Sequence, residues 1–222
     1  MEGRRNAKGE KPGKARGARP RTQPEINEYR RRLLMEGTIR SMAENGVGGT
    51  TVRAICAGAG SSLGLIGHYY RSKEELVAAA FRYLFDSTTD YIRAVSLRDA
   101  PTALGRLRMY PSALFSPRVC TRTNLLAFLA FWHEIRFNRA VREANRKRYV
   151  DYRRTLDRMF ALAAAEVGAT IDTASAAVGL VALVDGLWLE LAMEEGTLTR
   201  REAIRLAHDY IDHQLGLAAR AR

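Results

Sequence analysis

Cysteine is scarce. The two in 222 residues, Cys56 and Cys120, supply neither a disulfide framework nor a zinc quartet, so a reduced, cytoplasmic setting is the default expectation. No window of eighteen residues is free of charge. The longest apolar stretch, 174–193, is interrupted by Asp185 and Glu190, so no membrane-spanning helix and no membrane partner are expected. The first residues carry no apolar run of the signal-peptide kind. Strand-like alternation is missing throughout, which leaves an all-α fold as the expectation. Catalytic patterns are missing too. His68, His133, His208 and His213 make no metal-ligand spacing, and the last two are five apart, off a common helix face. There is no nucleophile elbow, no phosphate-cradling glycine loop and no carboxylate pair, and His133-Glu134 reads as surface or core. The expectation is no enzyme, no metal and no cofactor.

Proline is also sparse, with six in the chain and none beyond Pro117. Pro101, Pro111 and Pro117 cluster, which predicts short helices and bends between about 96 and 118. The proline-free remainder accommodates long helices over about 119–136, 139–166 and 171–194, then a last one opening with the capping box Thr199-Arg200-Arg201-Glu202 and running to about Leu215. Upstream, Thr22, Pro24 and Glu25 are helix-start signals, Leu33-Leu34, Gly37-Thr38 and Ser41-Met42 mark an inner stripe, and Asn45-Gly46 reads as the C-cap. With the elements described next, this amounts to about nine helices.

What is abundant is positive charge, +12 in all and unevenly placed. Residues 1–24 hold eight basic side chains against Glu2 and Glu10, a net of +6, with little to bury, so this segment is expected to be a disordered tail. Two readings of it stand: a basic arm that adds phosphate contacts, or a solvated tail. The arginines between 139 and 158 alternate with Glu143, Asp151 and Asp157, which fits a solvated helix face better than a second nucleic-acid patch.

The most informative stretch is 50–76, TTVRAICAGAGSSLGLIGHYYRSKEEL. A short periodic run with Val52 and Ile55 on one face stops at Gly58-Ala59-Gly60. Ser61-Ser62 then offers an N-cap hydroxyl for a second short helix. Leu63, Ile66 and Tyr70 recur at inward spacing, leaving Gly64, Leu65, Gly67 and His68 outward with Tyr69 at the edge. Ser72 and Glu75 form a capping box that starts a long helix to about Val95. Two short helices about a glycine-containing turn make a helix-turn-helix, whose second helix enters the DNA major groove. A plain packed helix pair satisfies the same spacing. Against it, two glycines inside one exposed helix face each cost about 1 kcal/mol relative to alanine, a cost with a use only where backbone must approach a partner closely.

These residues resemble the signature of the TetR family of bacterial transcriptional regulators. Thr51, Ile55, Ala59, Gly60, Ser62, Gly64, the aromatics Tyr69-Tyr70, Lys73 and Leu76 hold its spacing over more than twenty positions. The chain departs at Cys56 for alanine, at Ser61 for the valine of the turn and at Gly67 where many members have tyrosine, which implies different base contacts. The resemblance implies a double-stranded DNA operator met by Thr51, Arg53, Ser62, Leu63, Gly64, Leu65, Gly67, His68, Tyr69 and Lys73, with Tyr70 inward. Stretches 125–137 and 180–215, and the segment 64–70, also resemble the choline-sensing BetI-type repressors. That implies a homodimer paired through its last two helices and a small-molecule effector, choline or a related quaternary ammonium. It further implies division into a basic tail (1–24), a three-helix DNA-binding domain (25–72) and a helical regulatory and dimerisation domain (73–222).

The residues give that effector a physical form. Phe128 and Trp132 share a face at i, i+4 with Phe131 beside them, and Asp185 and Trp188 share another at i, i+3. Aromatic faces plus a carboxylate suit a desolvated ammonium, at about 0.5–2 kcal/mol per cation–π contact. Packing in a dimer core accounts for the same spacing. Two other functions remain open: the same scaffold sensing a different apolar or cationic compound to regulate efflux or catabolism, and a helical architectural protein binding nucleic acid without sequence choice, which would show steep salt dependence and little preference.

Overall fold

The computed structural model describes residues 22–193 and 197–217; the expected basic tail falls almost wholly outside them. Among the described residues there are nine helices and no strand: α1 (Gln23–Gly49), α2 (Val52–Ala59), α3 (Leu63–Tyr69), α4 (Lys73–Asp99), α5 (Ala103–Leu114), α6 (Arg122–Phe137), α7 (Arg139–Val167), α8 (Thr173–Met193) and α9 (Arg200–Gln214).

Local chemistry sets most of these boundaries. Thr22 and Glu25 cap α1 reciprocally, so the helix starts two residues inside the expected tail. Gly46, at φ 63°, breaks α1 where Asn45-Gly46 reads as a cap, because a left-handed turn costs glycine nothing. The Thr199 and Glu202 box opens α9 as expected. At α4 the box is shifted: Ser72 accepts from the Glu75 N–H at 3.2 Å, but the Glu75 carboxylate reaches past Ser72 to the Arg71 N–H at 2.8 Å. Pro111 does not end a helix. It lies buried inside α5, and only Pro101 and Pro117 punctuate that region.

Three apolar clusters run along α4. Leu76 closes a small core with Leu34, Ile55, Ala59 and Ile66 around α1–α3. Val77, Phe81 and Leu84 join Ile39 and Met42 of α1 to Phe131 of α6. Ile92 enters the large core that α5 to α9 build around Leu107, Phe160, Leu180 and Ile211. The α1–α2 approach is tight: a Cβ on Gly37 would lie 2.8 Å from that of Ala59. By length and composition α8 is apolar enough to cross a bilayer, contrary to the reading from its charges, but its inner side (Ala176, Leu180, Val184, Trp188) is packed in the large core.

Candidate nucleic-acid interface and effector cavity

The α2–α3 unit is built from caps inward. Thr51 accepts from the Ala54 N–H at 3.1 Å and starts α2. Gly60, left-handed at φ 59°, ends α2, and the Ser61 N–H bonds back to the Cys56 carbonyl at 3.0 Å. Ile66, 5% exposed, pins α3 to the small core, with Tyr70 half-buried beside it as expected. The outward side carries Gly64, Gly67 and His68, with Leu65 partly covered and Arg53 exposed at the start of α2.

Two expectations are corrected here, and one residue gains an added partner. Leu63 is 58% exposed rather than inward, because it opens a seven-residue helix and nothing packs over that end. Ser62 has N-cap dihedrals but its hydroxyl makes no capping bond, so it is exposed and uncommitted. The Tyr69 hydroxyl donates to Asn27 Oδ1 at 2.9 Å, and the Arg31 guanidinium lies 5.5 Å over its ring, so this side chain also tethers α3 to α1. Lys73 Nζ donates to the Thr50 carbonyl at 3.2 Å, which holds its charge beside the Thr51 cap. Asn27 and Arg31 were not legible as site residues, since their role depends on a fold contact across forty-two residues of sequence.

Gly67 offers a direct test of the glycine argument. A Cβ there meets nothing within 4 Å. Gly67→Ala is expected to stabilise the protein by about 0.5–1 kcal/mol through helix propensity. If this outward face is the one that meets DNA, operator affinity falls severalfold, because the added methyl stands on it. Urea denaturation and operator titration, run together, check the opposed signs.

A cavity of about 560 Å³ lies among α4, α5, α6, α7 and α8. Phe128, Trp132, Asp185 and Trp188 all line it. Phe131 does not. It is fully buried on the opposite side of α6, in edge contact with Phe81 at 5.4 Å, because one residue's step around a helix turns a side chain by about 100°. Phe128 meets Trp188 edge-on at 5.5 Å. The wall is completed by Phe85, Tyr110, Tyr149 and Tyr152, with Phe85, Tyr149 and Tyr152 mutually about 6 Å apart. Tyr149 and Tyr152 share a face of α7 at i, i+3, a signal masked in the sequence by the arginines around them.

Asp185 is a partly buried carboxylate on the cavity wall. It accepts from the Tyr149 hydroxyl at 3.0 Å. Burial pushes its carboxyl up to about 6, against the opposing effects of the Tyr149 hydrogen bond and the Arg153 charge. Burial also raises the Tyr149 phenol, with the Asp185 charge adding to it. Among the described residues no group of three His, Cys, Asp or Glu is placed to hold a metal, and both cysteines are buried and free. The arrangement suits binding of a desolvated cation between ring faces and a carboxylate.

Two family descriptions divide the chain in the same order. Residues 34–80 match the bacterial regulatory proteins of the tetR family, and residues 103–216 match the C-terminal region of BetI-type transcriptional repressors. The HTH-type transcriptional regulator BetI of Burkholderia lata is 35% identical over 191 residues, 84% of this chain and 94% of that protein. The chain belongs to the TetR family. It is a TetR-type transcriptional repressor with a BetI-type C-terminal region, and the nine helices of its described residues reproduce the fold of solved relatives. A crystal structure of a transcriptional regulator from Pseudomonas aeruginosa aligns with a TM-score of 0.77 at 34% identity, covering 90% of this chain and 96% of that one. A regulator from Saccharomonospora viridis, solved in complex with choline, aligns at 0.72 and 22% identity over 82% of this chain and 95% of its own.

Proposed function

We propose that this TetR-type repressor acts in the cytoplasm as a homodimer, without enzymatic activity, and releases a palindromic operator when an organic cation enters the aromatic cavity. The observation that carries the reading is Asp185, a partly buried carboxylate lining one cavity with Phe128, Trp132, Tyr149 and Trp188, whose wall is partly made by the helix that also closes the core around α1–α3. The choline-bound Saccharomonospora protein supports a quaternary ammonium as the class of effector.

In this reading residues 25–72 form the DNA-binding unit and 73–222 the regulatory one. Thr51, Ser62 and Lys73 meet phosphates, Arg53, Leu63, Gly64, Leu65, Gly67 and His68 line the groove, and Tyr69 sets the angle of α3 through Asn27. The outward stripe of α8, with Val178 47% and Met193 69% exposed and Ala182 and Gly186 between them, supports pairing of α8 and α9 with their mates as a four-helix bundle. Two heads so joined read half-sites about one helical turn, roughly 34 Å, apart. For a hundredfold release the effector must prefer the released conformer by about 2.7 kcal/mol.

Fluorescence anisotropy on a duplex from the gene's own upstream region, at fixed salt against a scrambled duplex, tests the proposal. The expected result is saturable preference for the upstream duplex, lost on adding choline or a related cation. Equal affinity for both duplexes, across all candidate upstream sites, would sink the operator reading.

A further inference from the structure

We infer that the effector is an organic cation with an apolar tail, its head group in the box of Phe128, Trp132, Trp188 and Asp185 and its tail running between α4 and α7 toward Leu97 and Leu162. This rests on the cation reading above and narrows it.

Size argues first. Choline has seven heavy atoms, and at about 30 Å³ each, the share of a water molecule in its liquid, it fills roughly 200 Å³. The cavity is about 560 Å³, within the range of sites that take drug-sized ligands. Shape argues next. The lining begins at Phe85 on α4 and Tyr149 on α7, whose rings stand 6.0 Å apart, and ends at Leu97 and Leu162 on the same two helices. Twelve and thirteen residues of helix separate those ends, a run of about 18–20 Å. A compact ammonium reaches only one end of such a slot.

Chemistry changes along that run. The inner end holds the aromatic faces and Asp185; Ile92, Leu156 and Met159 line the middle; and Leu97 and Leu162, each 61% exposed, stand at the mouth. Charged side chains also line the slot, but most are satisfied by neighbours. Arg148 pairs with Asp86, Arg93 with Asp90 at 2.6 Å, and Arg106 donates to the carbonyls of Ala100 and Pro101. Asp151 faces Arg154 at 3.5 Å. Arg148 and Arg93 are thus neutralised by carboxylates while Arg106 is turned to backbone carbonyls, and the exposed leucines are left as the surface a methylene chain would cover.

Calorimetric titration of the full-length protein with choline, octyltrimethylammonium below its micelle concentration, and octanoate tests this. Each methylene taken out of water strengthens binding about fourfold, so four buried methylenes make the octyl cation about two-hundredfold tighter than choline. Octanoate is expected not to bind. The double variant Leu97→Asp, Leu162→Asp, at exposed positions, should remove at least tenfold of the octyl advantage and leave choline unchanged. Choline and the octyl cation binding within threefold of each other would overturn the tail and leave the cation reading standing. Failure of both cations to bind would remove the cation reading and the tail with it. Octanoate binding as tightly as the octyl cation would overturn the placement of the charged head.

Discussion

Asp185→Asn is expected to make the protein more stable and less responsive at once. The folded carboxyl titrates at about 6 against an ordinary value of 3.8, so the native state holds this proton more tightly than the unfolded chain. Below about pH 4 both states are protonated and the site costs nothing. As pH rises from about 4 to 6 the unfolded chain gives up its proton first, and stability falls by up to about 3 kcal/mol by pH 7. Asparagine cannot ionise and can still accept from the Tyr149 hydroxyl. The variant should therefore gain up to about 3 kcal/mol at pH 7, or roughly 6–12 °C in melting temperature for a chain of this size, and nothing at pH 4. Cation affinity should drop tenfold or more, and that of the parent protein should rise with pH through about 6. Thermal melts at pH 4 and 7 beside a cation titration check it; a variant less stable at pH 7 would show that the carboxylate holds the fold together instead.

Phe131→Ala is expected to cost about 3–5 kcal/mol, the usual loss for a fully buried phenylalanine. Its ring is 0% exposed and packs on Phe81 where α1, α4 and α6 meet. Chemical denaturation should show the loss while the folded fraction binds cation with unchanged affinity, because the ring faces away from the cavity. Trp132→Ala, one residue on, should do the reverse: a smaller loss of stability and a weaker effector. Equal ligand effects from both variants would place the box elsewhere on α6.

The pair also illustrates what the sequence made legible. Helix starts are written in single residues three apart, so Thr22, Thr51, Ser72 and Thr199 could each be read as caps before any fold was known. Phe128 and Trp132 followed from spacing alone, whereas Phe131 required knowing which side of α6 meets α4. Tyr149 and Tyr152 escaped notice because α7 is charged on most of its circumference, and only its contacts with α4, α5 and α8 reveal an inward aromatic edge. On α3, two turns are too few for periodicity to fix orientation, and Leu63 came out on the wrong side. The Tyr69 tether shows the same limit at longer range.

One helix, α4, enters all three apolar clusters of the described residues. Leu76 of α4 lies in the DNA-reading core, Phe81 in the junction and Ser96 on the cavity wall. From Ser96 to Lys73 is about 35 Å of nearly incompressible rod. A tilt of about 6° at the cavity end carries the other end through roughly 3.5 Å, about the rise of one base pair. A ligand that does no more than wedge α4 and α7 slightly apart would thus throw a head out of step with its half-site by one rung of the double helix.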